Sequence, residues 1–455
     1  MAGVRHVYVH LPFCLARCGY CDFVTLVGRR GEHGAYVDAL LRELDLERGL
    51  LASTVETVFV GGGTPTFAAS AALARLLAAL PAAAEITVEA NPETVTPALA
   101  RLVRETGVTR VSLGAQSFQP RLLETLERHA VPDDVRCAVY RLRDAGIDNI
   151  SLDLIYGIPG QSAAELQADL EEALALAPEH LSCYELEAKP GTRFTHMHGD
   201  ELRRQAEAME DYFELVVERL VGAGYRWYET ASFCREGRQA RHNLAYWLGR
   251  DYVGLGIGAV STVGGLRWRN APGLGAYQDA LAHGRRPPRE VEVLDDEVRV
   301  RERLMLALRL DEPVSFAEVA RAVDPIGLRR LEGLGLVERV RFGGERSEGG
   351  LASERRDRSD DRYRSGERVP LQAPVGLVDR SDVDRRCQLG EELLLRDSWP
   401  ASRERGSSAG NGTGSATDFA TDEGLRLTYR GRFVGGAVTV DLMAEMPANR
   451  IVSTR

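Results

Sequence analysis

The stretch HLPFCLARCGYCDF, His10–Phe23, places three of the chain's seven cysteines within eight residues. Cys14, Cys18 and Cys21 follow a CxxxCxxC spacing, and the run ends on Asp22 and Phe23 without a fourth thiol. The other four cysteines, Cys137, Cys183, Cys234 and Cys387, lie far apart and read as buried or idle thiols. No apolar run in the 455 residues approaches the roughly 20 needed to span a bilayer. The opening MAGVRHVYVH enters a strand pattern without a signal peptide's apolar segment, so a cytoplasmic location is expected. In a reducing compartment, clustered thiols bind metal or do redox chemistry rather than form disulfides.

Outward from that loop, short β-branched runs alternate with longer Ala/Leu/Glu/Arg segments of helical period up to about residue 230. The runs are VYVH (7–10), VETVFV (55–60), ITVEA (86–90), RVSLGAQ (110–116), NISLDLIYG (149–157), LSCYEL (181–186) and YRWYE (225–229). Such repetition implies parallel strands joined by crossover helices. His10, Glu89, Gln116 and Asp153 fall at the C-terminal ends of successive runs, the rim where barrel enzymes gather their chemistry. Any one of them alone could equally begin a loop or cap a helix. Together with the cysteine loop after the first strand they look like one site, and they favour a barrel over an open doubly wound sheet for this α/β pattern.

The expected organisation is a barrel with its cysteine loop over 1–235 and a connecting region bearing HNLAYW over 236–294. A smaller winged-helix-like α+β domain is expected over 295–342 and 424–455. Between them, 343–423 is rich in Arg, Asp, Ser and Gly and cannot bury enough apolar surface to order itself, so a flexible low-complexity insertion is expected. The net charge of -10 and the lack of a basic recognition helix speak against a nucleic-acid partner.

Three thiolates are too few to close the four-ligand shell of a structural metal site. Two readings stand. One is a zinc ion completed by His10; the other is a 4Fe–4S cluster whose fourth iron is left open. An open iron can take an amine and a carboxylate, the way S-adenosylmethionine (SAM) is held for reductive cleavage.

The segments YVHLPFCLARCGYCDF, VFVGGGTPT, VEANPE, SLGAQSF, SLDLIYGIPGQ and HNLAYW, in this order, resemble the radical SAM family of oxygen-independent coproporphyrinogen III dehydrogenase and its relatives. The similarity runs from residue 4 to about 342 and resumes from 424, and it implies an α/β fold built on a partial parallel (β/α)6 TIM-like barrel. It implies that Cys14, Cys18 and Cys21 ligate the cluster and that Tyr8 and Tyr20 contact the SAM bound to it. Gly62, Gly63 and Thr64 would meet its methionine moiety. Glu89, Gln116, Arg128 and Asp153 would surround SAM, carboxylates and amides suiting its amine and ribose hydroxyls and a guanidinium its carboxylate.

The dehydrogenase branch carries CxxxCxxCxC, whereas Phe23 stands at that last position here. The first strand also begins near residue 4, without the N-terminal extension of that branch. Both departures resemble the haem chaperone branch, whose members bind haem and pass it to haem-requiring acceptor proteins. On that resemblance His242 would ligate haem iron, with Tyr246 and Trp247 packing on the porphyrin. The dehydrogenase activity stays as the alternative. Peripheral membrane association through acceptors, and a homodimer, are left open by the resemblance.

Overall fold

The computed structural model describes residues 3–189, 193–342 and 423–443. Six strands carry the architecture: β1 (His6–Leu11), β2 (Val55–Gly62), β3 (Ala83–Ala90), β4 (Arg110–Gln116), β5 (Ile150–Tyr156) and β6 (His180–Glu185). Each pairs in parallel with the next. Parallel neighbours need a crossover, and the helices His33–Glu47, Ser70–Ala79, Pro97–Glu105, Pro132–Asp144 and Ala163–Ala175 lie in those connections.

The local signals are ordinary ones. Ser162 caps its helix by accepting from the Glu165 amide, while Glu165 accepts from the Ser162 amide at 2.9 Å. Pro97 and Pro132 open their helices at a position whose N–H would have no partner.

Among the described residues the sheet runs on at both ends. Beyond β1 it continues through Tyr252–Leu255, which is parallel to β1, and then antiparallel through Val260–Val263, Leu266–Asn270 and Arg289–Val293. Beyond β6 lie antiparallel Ser232–Cys234 and Arg226–Trp227. The stretch 236–294, read above as a connecting region, thus supplies four strands of the main sheet. The result is a partial, parallel-rich barrel.

Alternation along the strands decides what faces where. Val7, Val9 and Leu11 are fully buried in the main core with Tyr36, Leu40 and Leu73 from the surrounding helices. The intervening positions carry His6 and His10, and the same register in the neighbouring strands brings Thr57, Glu85, Thr87, Arg110, Ser151 and His180, all buried and polar. A closed barrel is filled with layers of branched aliphatic side chains. Here the filling is polar, and its groups must find partners among themselves or in a ligand.

A second hydrophobic core, with Leu304, Phe316, Leu328, Leu331, Leu425 and Leu442, belongs to the C-terminal module. Its small sheet places Glu423–Leu427 between Val314–Ser315 and Val337–Arg341, antiparallel to both. The module docks through a bidentate Arg226–Asp311 pair at 2.7 and 2.8 Å and through Arg432, whose guanidinium lies 3.6 Å from the Trp227 ring centre. The expected insertion over 343–423 lies outside the described residues except for Glu423. Cys183 and Cys234 are buried free thiols. Among the described residues no helix is long and apolar enough to cross a membrane.

Candidate functional site

β1 delivers the chain into the cysteine loop. After Leu11 and Pro12, Phe13–Cys14 pairs in parallel with Leu26–Val27. Leu26 N–H donates to the Pro12 carbonyl at 2.7 Å and Gly28 N–H to the Cys14 carbonyl at 2.8 Å, so the intervening residues bulge out as a closed loop. His10 anchors it. Its Nε2 donates to the Val24 carbonyl at 2.8 Å, which leaves Nδ1 to accept from the Tyr8 hydroxyl at 2.9 Å. Burial keeps this imidazole neutral, its pKa pushed down to about 4.

Cys14, Cys18 and Cys21 are free thiols. Thr64 Oγ1 donates to Cys14 Sγ and Arg128 Nη1 to Cys18 Sγ, each at 3.6 Å. Burial pushes the Cys14 thiol up to about 12 and the Cys21 thiol upward as well, so metal binding must displace their protons. Among the described residues no three His, Cys, Asp or Glu side chains converge as the ligands of one ion would. A 4Fe–4S cluster asks for something else, one thiolate on each of three irons with the sulfurs spread around it. Three free thiols suit three iron corners, whereas zinc would need His10 as its fourth ligand and both His10 nitrogens are engaged.

The glycine segment after β2 runs against this loop. Gly63 N–H donates to the Leu11 carbonyl and Thr64 N–H to the Phe13 carbonyl, both at 2.8 Å. A Cβ on Gly62 would come within 2.5 Å of His10 Nδ1, and Gly62 has a φ of +116° that L side chains rarely adopt. A Cβ on Gly61 would meet Glu89 Oε2 at 2.6 Å. Glu89 itself accepts from Gly62 N–H at 3.1 Å.

Two carboxylates share the concave face above the strands. Asp153 accepts from Ser112 Oγ at 3.1 and 3.2 Å. Burial pushes Asp153 up to about 6. Burial first, and then the Asp153 charge, push Glu89 up to about 7. Each is therefore poised to exchange a proton near neutrality or to gain from a cationic ligand.

The rim is also strained. Gln116 has a φ of 65° at a register shift between β4 and β5, and Glu127, next to Arg128, has a φ of 57°. A left-handed backbone costs a side-chain-bearing residue about 1–2 kcal/mol. Such strain persists where its surroundings over-determine it, often at ligand sites. Tyr8 stacks on Phe59 with ring centres 6.2 Å apart, and Tyr20 packs against the cluster of Leu122, Leu126, Ile155 and Phe194.

The structure thus gathers Tyr8, Cys14, Cys18, Tyr20, Cys21, Gly62, Gly63, Thr64, Glu89, Gln116, Arg128 and Asp153 around the C-terminal ends of β1 to β5. Three further participants escaped the sequence reading. Asn91 holds Arg128 at 3.0 Å, Ser112 holds Asp153, and the Val24 carbonyl holds His10. Asn91 lies within the VEANPE segment already singled out, and Ser112 shares the alternation of β4; Val24 carries no signal, since only its backbone is used.

His242 lies elsewhere. It sits on the helix Arg241–Trp247 at the opposite ends of the strands, 1% exposed. Its Nδ1 bonds Thr57 Oγ1 at 2.8 Å and its Nε2 bonds the Tyr246 hydroxyl at 2.9 Å. Burial holds the ring neutral, with a pKa pushed down to about 3. Both ring nitrogens are thus engaged within the protein, and a bond from Nε2 to haem iron would have to displace Tyr246. Trp247 is half-buried, with the Arg309 guanidinium 4.3 Å from its ring centre.

Residues 8–173 match the Radical SAM superfamily. Over 328 residues the chain is 37% identical to the heme chaperone HemW of Mycobacterium tuberculosis H37Rv, covering 70% of this chain and 84% of that protein. It is 33% identical over 354 residues to HemW of Bacillus subtilis, covering 73% and 93%. The solved structure of the coproporphyrinogen III oxidase HemN from Escherichia coli, a radical SAM enzyme, superposes with a TM-score of 0.63 at 23% identity, over 74% of this chain and 85% of that one. That likeness speaks for the fold alone. With a cysteine loop and glycine-lined rim on a partial (β/α)6 barrel, and identity of this extent, the chain belongs to the HemW family of radical SAM proteins.

Proposed function

We propose that this protein is a haem chaperone, holding a 4Fe–4S cluster and SAM at the rim of its barrel and delivering haem to acceptor proteins. The observation that carries the reading is the identity to HemW across most of that protein's length, together with Asp22 and Phe23 closing the cysteine run. Cys14, Cys18 and Cys21 would hold the cluster. Bound cluster and SAM would supply an electron and a sulfonium group.

The chain's own residues do the rest. Thr64 and Arg128 orient two of the sulfurs. The bare backbone at Gly62 and Gly63 lets this segment pack directly on His10 and on the Pro12–Phe13 backbone, which sets Thr64 beside Cys14, where a methionine moiety would lie. Tyr8, fixed by its bond to His10, and Tyr20 flank the loop. Glu89, Gln116, Arg128 and Asp153 offer two carboxylates, an amide and a guanidinium for the amine, ribose hydroxyls and carboxylate of SAM. His242 becomes a haem ligand when Tyr246 gives up its hold on Nε2. A single hydrogen bond of that kind is worth about 1 kcal/mol net, small beside the strength of iron ligation.

Anaerobically reconstituted protein is expected to bind haem stoichiometrically and to leave coproporphyrinogen III unchanged. Formation of protoporphyrinogen IX would replace this reading by the dehydrogenase alternative. Absence of both haem binding and turnover would remove both.

A further inference from the structure

Arg128 makes a contact that recognition of SAM does not require. Its Nη1 donates to Cys18 Sγ at 3.6 Å across 110 residues of sequence. Its Nη2 is anchored twice, to the Gly114 carbonyl at 2.7 Å and to Asn91 Oδ1 at 3.0 Å. Its Nε is buried without a partner. The guanidinium is thus fixed on one edge by the end of β4 and by the segment after β3, and it presents a cationic donor to one sulfur of the loop.

The backbone is bent to allow this. The helix Pro120–Thr125 ends, Glu127 enters the left-handed region, and Arg128 N–H closes the turn on the Leu123 carbonyl at 2.9 Å. That turn sends the side chain back toward the cysteine loop. The three sulfurs are consequently inequivalent: Cys18 has a charged side-chain donor, and Cys14 a neutral hydroxyl.

We propose that Arg128 is a positioning residue that sets the reduction potential of the cluster by donating to the Cys18 thiolate, with Asn91 holding it in place. This rests on the reading of Cys14, Cys18 and Cys21 as cluster ligands. Adding an electron makes the cluster more negative. A cationic donor on a ligand sulfur stabilises the reduced form more than the oxidised form, and hydrogen bonds to sulfur are an established lever on such potentials. The orphan Nε leaves a second donor on the same group, available to an anionic ligand.

The test is a redox titration of the full chain, reconstituted anaerobically without SAM and followed by electron paramagnetic resonance. Arg128→Gln is expected to lower the midpoint potential by about 59 mV, a tenfold shift in a one-electron equilibrium. Asn91→Ala, which releases the guanidinium without touching a sulfur, is expected to shift it the same way by a smaller amount. Should Arg128→Gln fail to hold a cluster, Asn91→Ala decides. Intact clusters with an unchanged potential, in both variants or in Asn91→Ala alone where Arg128→Gln loses its cluster, would overturn the proposal, since a merely structural residue alters yield or stability and leaves the potential alone. Wild-type protein that carries no 4Fe–4S cluster would instead overturn the reading on which it rests.

Discussion

The two ends of the same parallel sheet solve the problem of buried polarity in opposite ways. At the N-terminal ends, imidazoles and hydroxyls satisfy one another in chains, and Arg110 Nη2 and Trp247 Nε1 are among the buried atoms left over there. His6 Nδ1 meets Thr57 Oγ1 at 2.9 Å, Thr57 meets His242, and His242 meets Tyr246. A second chain runs from Ser151 through His180 to Tyr228, with both contacts at 2.8 Å. Glu85 accepts the amides of Arg241 and His242 at 3.1 and 3.0 Å and so caps the helix that plugs this end. At the C-terminal ends the polar groups are left waiting. Buried Arg128 Nε and Glu93 Oε2 have no partner, two carboxylates are held near neutral pKa values, and Gln116 and Glu127 are strained. Chains of hydrogen bonds among imidazoles and hydroxyls support the fold, whereas a rim with strained residues and carboxylates of raised pKa suits a ligand.

The comparison breaks most visibly at the cysteines. Replacing Cys14, Cys18 and Cys21 together by serine is expected to abolish the visible absorbance of reconstituted protein while the fold persists by circular dichroism. An intact chromophore in the triple variant would place the cluster elsewhere.

Gly62→Ala puts a methyl group against His10 on a backbone unsuited to it, so a loss of about 3 kcal/mol and of SAM binding is expected, read by denaturant titration and equilibrium dialysis. Thr57→Val probes the closed end. It strands nitrogens of His6 and His242 at a cost of about 1–3 kcal/mol, and cluster assembly and SAM binding are expected to be unaffected. If Thr57→Val disturbed SAM binding as Gly62→Ala does, the distinction between the two ends would fail.

The rim carboxylates give a pH dependence of definite sign. Glu89 is raised from 4.5 to about 7, so between those values the folded chain holds more protons than the unfolded one, and stability falls as pH rises. Glu89→Gln is expected to flatten that part of the stability profile of the cluster-free chain, gaining most above pH 7. A slope that survives the substitution would assign it to another group. The smallest effect is expected at the closed end: Tyr246→Phe frees Nε2 of His242 and should tighten haem binding about fivefold, the equivalent of one hydrogen bond. Unchanged affinity would remove His242 as the ligand.

Much of this was legible before the structure. RVSLGAQ coincides with β4 at both ends, and the other five barrel strands fall within three residues of their expected bounds, because β-branched runs between helical periods leave few alternatives. The rim was legible too, since its residues sit at strand ends or in motifs. Illegible was the region after Ala240, where strands of four or five residues, separated by glycine turns and pairing antiparallel, carry too short a period to read. Also hidden were contacts between distant residues. Nothing near His242 announces Thr57, 185 residues away, and nothing near Cys18 announces Arg128. A histidine beside aromatic residues looks the same in sequence whether its nitrogens are free or taken.

The account rests on three sulfurs that leave one iron open at the rim. Electron paramagnetic resonance of the reduced, anaerobically reconstituted chain, recorded with and without SAM, tests this directly. A 4Fe–4S signal that changes shape when SAM is added is the expected result. A silent sample holding one zinc per chain, indifferent to SAM, would contradict it.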